Sequence, residues 1–104
     1  MDIRISDHLP KGRENAVSRA AIQAKLFVTK REFEEAIQRE RLEGSPILTG
    51  EKGAYYLATD PDEVLRYARA LRRRSETSLK VAKALETPIL EERRKRFARE
   101  YNAQ

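Results

Sequence analysis

Thr29-Lys30-Arg31-Glu32-Phe33-Glu34-Glu35-Ala36-Ile37-Gln38-Arg39-Glu40-Arg41-Leu42-Glu43-Gly44 is the stretch on which the reading of this chain turns. Thr29 and Glu32 have capping-box spacing: the threonine hydroxyl can accept the Glu32 amide while the Glu32 carboxylate reaches back to the Thr29 amide. Val28 and Phe33 are spaced as a hydrophobic staple across the same start. Phe33, Ala36 and Ile37 form an inward stripe at helical period. Gly44 suits the left-handed position that ends a helix. These signals predict a helix over 30–43.

Upstream, residues 2–9 read as a weak short helix around Ile3, Ile5 and Leu9, broken by Pro10-Lys11-Gly12. Ser18 can cap a second short helix over 19–25, with Val17 and Ile22 at staple spacing. Leu26-Phe27-Val28 is then an apolar turn leading into Thr29.

Downstream, Pro46-Ile47-Leu48-Thr49 and Ala54-Tyr55-Tyr56-Leu57 are β-prone runs joined by Gly50-Glu51-Lys52-Gly53. That pattern predicts a hairpin, with Ile47, Tyr55 and Leu57 on its buried face. Asp60-Pro61-Asp62-Glu63 combines a capping Asp, Pro at the first helical position and acids in the first turn. A helix of 61–86 follows, about 39 Å long at 1.5 Å per residue. Val64, Ala68, Leu71, Ser75, Leu79, Ala82 and Leu85 stripe it, with Ser75 as the weak point. Thr87-Pro88 is expected to stop it and to restart a last helix over 88–101 carrying Leu90, Phe97 and Tyr101.

The 104 residues, 12.1 kDa in all, are expected to form one small domain over 1–60 and a helical extension over 61–104. Residues 1–60 hold 10 basic and 10 acidic side chains, while 61–104 hold 12 basic and 7 acidic, so the net charge of +5 lies in the second part. A basic balance suits a polyanionic partner. There is no cysteine, which excludes disulfides and thiolate metal sites. No apolar run approaches a membrane span, and Met1-Asp2-Ile3-Arg4 lacks the apolar core of a signal peptide, so a cytoplasmic location is expected. His8 is the single histidine and reads as a surface or local capping residue. Ser6-Asp7-His8 is no triad, because triad members converge from separate segments. No phosphate-binding glycine loop occurs. Nothing in the sequence supports catalysis or calls for a cofactor.

The order of elements (short helices, tight turn, capped helix, hairpin, long helix) is that of a winged helix-turn-helix, a mainly α fold with a small β-hairpin, here followed by a long C-terminal helical extension. In such folds the second helix of the pair can lie in the DNA major groove. Helix 30–43 would then be the reader, with wing 47–57 on the backbone. Arg31, Gln38 and Arg39 would meet base edges, Lys30, Arg41 and Lys52 would contact phosphates, and Arg66, Arg69 and Arg73 would assist from the long helix. The same residues can equally be a solvated face. The reader also carries Glu32, Glu34, Glu35, Glu40 and Glu43, and acidic groups repel phosphates. That favours an alternative, a winged-helix interaction module for a protein partner that no longer binds DNA.

Thr29, Arg31, Phe33, Ile37, Gly44, Pro46, Ile47, Gly53, Tyr55 and Leu57 together resemble the biotin-repressor-like winged helix-turn-helix domains of bacteria. The opening His8-Leu9-Pro10-Lys11-Gly12-Arg13-Glu14-Asn15-Ala16-Val17-Ser18-Arg19 is similar to small winged-helix proteins of bacteriophages and prophages. The resemblance covers about residues 3–75. It implies double-stranded DNA binding in phage or prophage transcription regulation or as a replication accessory, with a phage or host protein as a possible partner. The stripe of the long helix needs cover. A homodimer through the C-terminal helices, seamed by Ser75, Ser78 and Ala82, is expected, and it would space two half-sites about one DNA turn apart.

Overall fold

The computed structural model describes residues 3–102. In order, β1 (Val17–Ser18), α1 (Arg19–Leu26), α2 (Lys30–Leu42), β2 (Ile47–Thr49), β3 (Ala54–Leu57) and α3 (Pro61–Asn102) follow a 3-10 turn at Ile5–His8 and another at Arg13–Asn15. The chain divides within α3 into two compact units, one running through Tyr67 and the other beginning at Ala68. The first unit therefore includes the opening two turns of α3.

In the first unit, Ile5, Leu9, Ile22, Phe33, Ala36, Ile37 and Ile47 form the buried core, with Val17, Val28, Tyr55 and Leu57 packed against it. Phe33 is fully buried and meets Tyr55 edge-on, ring centroids 5.0 Å apart. Such an aromatic pair contributes about 0.5–1.5 kcal/mol beyond its buried area. The expected caps are formed. The Ser18 hydroxyl accepts the Ala21 amide, and both halves of the Thr29/Glu32 capping box are present. At the far end of α2, Gly44 has φ +99°, its N–H donates to the Arg41 carbonyl, and the Ser45 N–H donates to the Glu40 carbonyl. This is the Schellman arrangement, which a left-handed glycine allows without a Cβ penalty.

The hairpin pairs Ile47 with Leu57, Leu48 with Tyr56 and Thr49 with Tyr55. Ile47, Tyr55 and Leu57 join the core as expected. Leu48 and Tyr56, on the alternate face, are buried as well. There Tyr56 lies beside Glu63 of α3, and burial together with that carboxylate raises its pKa.

The sheet has a strand that the sequence did not announce. β1 pairs antiparallel with β3, Val17 opposite Tyr55 and Ser18 opposite Ala54, so the order is β1-β3-β2. Two residues are too short for an alternating pattern to register. The expected helix over 2–9 is also reduced. Only the 3-10 turn Ile5–His8 forms among its described residues, and Asp2 lies outside them.

α3 departs most from expectation. It passes through Pro88 without stopping, so there is no separate helix 88–101. Pro88 removes the donor to the Ala84 carbonyl, but on an exposed helix that carbonyl is free to take water. The proline φ itself is helical, and the Thr87 hydroxyl donates to the Lys83 carbonyl at 2.6 Å across the same turn. Every described residue from 71 to 102 is exposed. Among the described residues no helix is long and apolar enough to cross a membrane.

Candidate nucleic-acid interface

Helix α2 is held from below, which leaves one polar face outward. Phe33, Ala36, Ile37 and Glu40 point into the first unit, while Lys30, Arg31, Glu34, Glu35, Gln38 and Arg39 are exposed. Between Gly50 and Ala54 the hairpin loop presents Lys52, exposed and with φ +59°.

The cations of α2 fall into two groups. Lys30 and Arg31 are paired only with carboxylates one turn on. Lys30 Nζ is 3.9 Å from Glu34, and Arg31 Nε is 3.0 Å from Glu35. Exposed pairs of this spacing contribute about 0.3–0.5 kcal/mol, little enough for a phosphate or a guanine edge to displace. Arg39 donates from Nη2 to the Ile3 carbonyl at 3.1 Å, an exposed contact that leaves other guanidinium donors outward. Gln38 is exposed with no internal role.

Arg41 is different. Its Nε donates to the Ile47 carbonyl at 2.8 Å, and its Nη2 donates to the Thr49 hydroxyl at 3.0 Å and to the Tyr67 hydroxyl at 3.3 Å. The guanidinium also lies over the Tyr67 ring, 5.5 Å from its centroid. Arg41, read from sequence as a phosphate contact, is thus spent joining α2, β2 and the start of α3. Burial raises the Tyr67 phenol pKa, but the hydrogen bond with Thr49 and the positive Arg41 outweigh it, leaving the phenol below its usual value.

The carboxylates sort as sharply. Glu40 is not on the outer face at all. It is fully buried, and its two oxygens accept the Ile5 and Ser6 N–H groups at 2.7 and 2.9 Å. Those amides open the N-terminal 3-10 turn, so α2 supplies the cap that the local sequence lacks. Burial pushes the Glu40 pKa up, yet the amides of Ser6 and Ile5 and the nearby Arg4 more than compensate and hold it below the ordinary value. Glu32 is committed to the capping box and Glu43 to Arg4 at 2.9 Å. Only Glu34 and Glu35 remain as outward acids among the five glutamates, and Glu34 is also 3.9 Å from Arg19 of α1.

Arg66 is exposed on α3 in the first unit. In the second unit Arg69 and Arg73 are exposed four residues apart, on one helix face.

Two residues of this region escaped the sequence reading. One is Glu40, which looked like any other helix glutamate. The other is Phe27, in the turn between α1 and α2. It adopts the left-handed conformation (φ +55°, ψ +43°) and is 94% exposed. The apolar run Leu26-Phe27-Val28 gave no sign of which side chain would point out. Comparison with protein-family models, curated proteins and solved structures found no match.

Proposed function

We propose that this protein binds duplex DNA as a winged helix-turn-helix, with α2 in the major groove and the loop between β2 and β3 on the phosphate backbone. The observation that carries the reading is the order of elements around α2. A short strand, two helices joined by the turn 27–29, and a hairpin whose last strand pairs with the first (β1-β3-β2) support the winged-helix reading. This order leaves outward a helix face with Arg31, Gln38 and Arg39 at its disposal.

In this reading Arg31, Gln38 and Arg39 meet base edges, and Lys30, Lys52 and Arg66 meet phosphates. Arg69 and Arg73 add cations from the second unit. Arg41 positions the reader helix and leaves the contact set. The resemblance of the sequence to phage and prophage winged-helix proteins directs the role toward gene regulation or replication.

The affinity for random-sequence duplex at two salt concentrations tests it. Three phosphate contacts correspond to a slope of log affinity against log salt of about −3. Binding that is absent, or that does not respond to salt, refutes the reading.

One observation favours a second reading, an interaction module for a protein partner. Lys30 and Arg31 are neutralised by Glu34 and Glu35 on the very face that would meet DNA. Replacing Glu34 and Glu35 with glutamine separates the two. It strengthens DNA binding if α2 enters the groove, and it leaves DNA binding absent if the face serves a protein.

A further inference from the structure

From Leu71 onward every described residue of α3 is exposed. Helices draw most of their stability from packing an apolar stripe rather than from propensity. This one also contains Ser75, Thr77, Ser78, Thr87 and Pro88, all poor interior residues. Nevertheless it carries large apolar side chains in the open: Leu71 is 41% exposed, Leu85 70% and Ile89 56%.

Residues 71, 75, 78, 82, 85 and 89 advance by four, three, four, three and four. That is the spacing of the a and d positions of a heptad, the pattern by which one helix buries a seam against another. We propose that this seam is covered by the same seam of a second copy of the chain, running antiparallel and centred near Lys80.

Size complementarity selects the direction. In the antiparallel register centred at 80, Leu71 faces the partner's Ile89, Ser75 faces the partner's Leu85, and Ser78 faces the partner's Ala82. Each bulky residue meets either another apolar residue or a small one that makes room for it. Leu79 and Val81 then flank the narrow Ser78–Ala82 waist from either side. A parallel pair would instead stack Ser75 on Ser75 and Ser78 on Ser78, two successive layers without an apolar side chain.

Charge selects the same direction. In a parallel pair the flanking Arg72 and Arg74 would meet the partner's Tyr67 and the partner's Leu79 and find no carboxylate. The antiparallel register brings Arg72 to the flank opposite the partner's Glu86, an opposite-charge pairing of the kind that fixes orientation in coiled coils. The seam ends where it should, since the next layer outward would pair Ala68 with the partner's Glu92.

The chain has no native cysteine, so single-cysteine variants report on register cleanly. Sedimentation of the intact protein at tens of micromolar is expected to give twice the 12.1 kDa chain mass. Under mild oxidation Ser75→Cys alone and Leu85→Cys alone should stay uncrosslinked, whereas their equimolar mixture should form the mixed disulfide. Ser78→Glu, at a position exposed in the single chain, should give a monomer whose first unit stays folded. A monomer for the unaltered chain, self-crosslinking of Ser75→Cys, or a dimer that survives Ser78→Glu would each overturn the proposal.

Discussion

Glu40 shows how a residue of the expected reader surface becomes part of the frame. Its carboxylate is buried against two backbone N–H donors, so a neutral amide in its place would turn an NH2 toward at least one of them. Glu40→Gln is expected to destabilise the first unit by about 1.5–3 kcal/mol, the usual range for a hydrogen bond to a charged group, read by urea denaturation. The same contact sets a pH dependence. Because the folded pKa lies below that of the unfolded chain, the stabilisation is complete above the ordinary glutamate value of about 4.3. It is lost as pH falls toward the folded value, because the unfolded chain takes up the proton first. The unaltered protein should therefore lose stability below about pH 4.3 more steeply than Glu40→Gln does. Phe27 is the opposite case, an exposed aromatic held where glycine is preferred. Phe27→Gly should raise stability by about 1 kcal/mol by removing the left-handed penalty of a Cβ. A thermal midpoint that falls would refute that view of the turn.

Among the elements, α2 was fully legible and α3 was half legible. The start of α2 is marked by side chains that act locally, Thr29 on Glu32 and back, and its end by a glycine that acts locally too. Signals of that kind survive without any knowledge of tertiary structure. Thr29→Ala should cost about 1 kcal/mol, measured by chemical denaturation, as expected for a lost N-cap. The identity of the outward groups on α2 was only partly legible, because Glu40 and Arg41 are assigned by partners far along the chain, at Ile5, Ser6 and Tyr67. Strand β1 was invisible for the same reason, since its pairing with β3 is its whole signal. At Pro88 a local rule misled. A proline is costly within a helix by about 3 kcal/mol, but it does not forbid one when the freed carbonyl is exposed and the flanking turns are regular. Pro88→Ala should accordingly slow amide hydrogen exchange over residues 84–92 while leaving the helix ends in place. A new break or a loss of ellipticity would contradict the uninterrupted α3.

At the scale of the whole molecule, charge and structure divide the work along the chain. The first sixty residues are neutral in sum and build the packed unit that presents α2, while the excess of cations lies beyond them. If the proposed function holds, α2 carries the base-reading residues while the excess of cations along α3 supplies sequence-independent attraction to a polyanion. The most direct measurement is an NMR titration of the full chain with a duplex oligonucleotide. DNA binding through α2 predicts that backbone amide shifts move first and furthest at residues 30–39 and 50–53, and that the core amides around Phe33 and Ile47 follow only weakly. Shifts confined to α3 beyond Ala68, or no shifts at all at low salt, would contradict it.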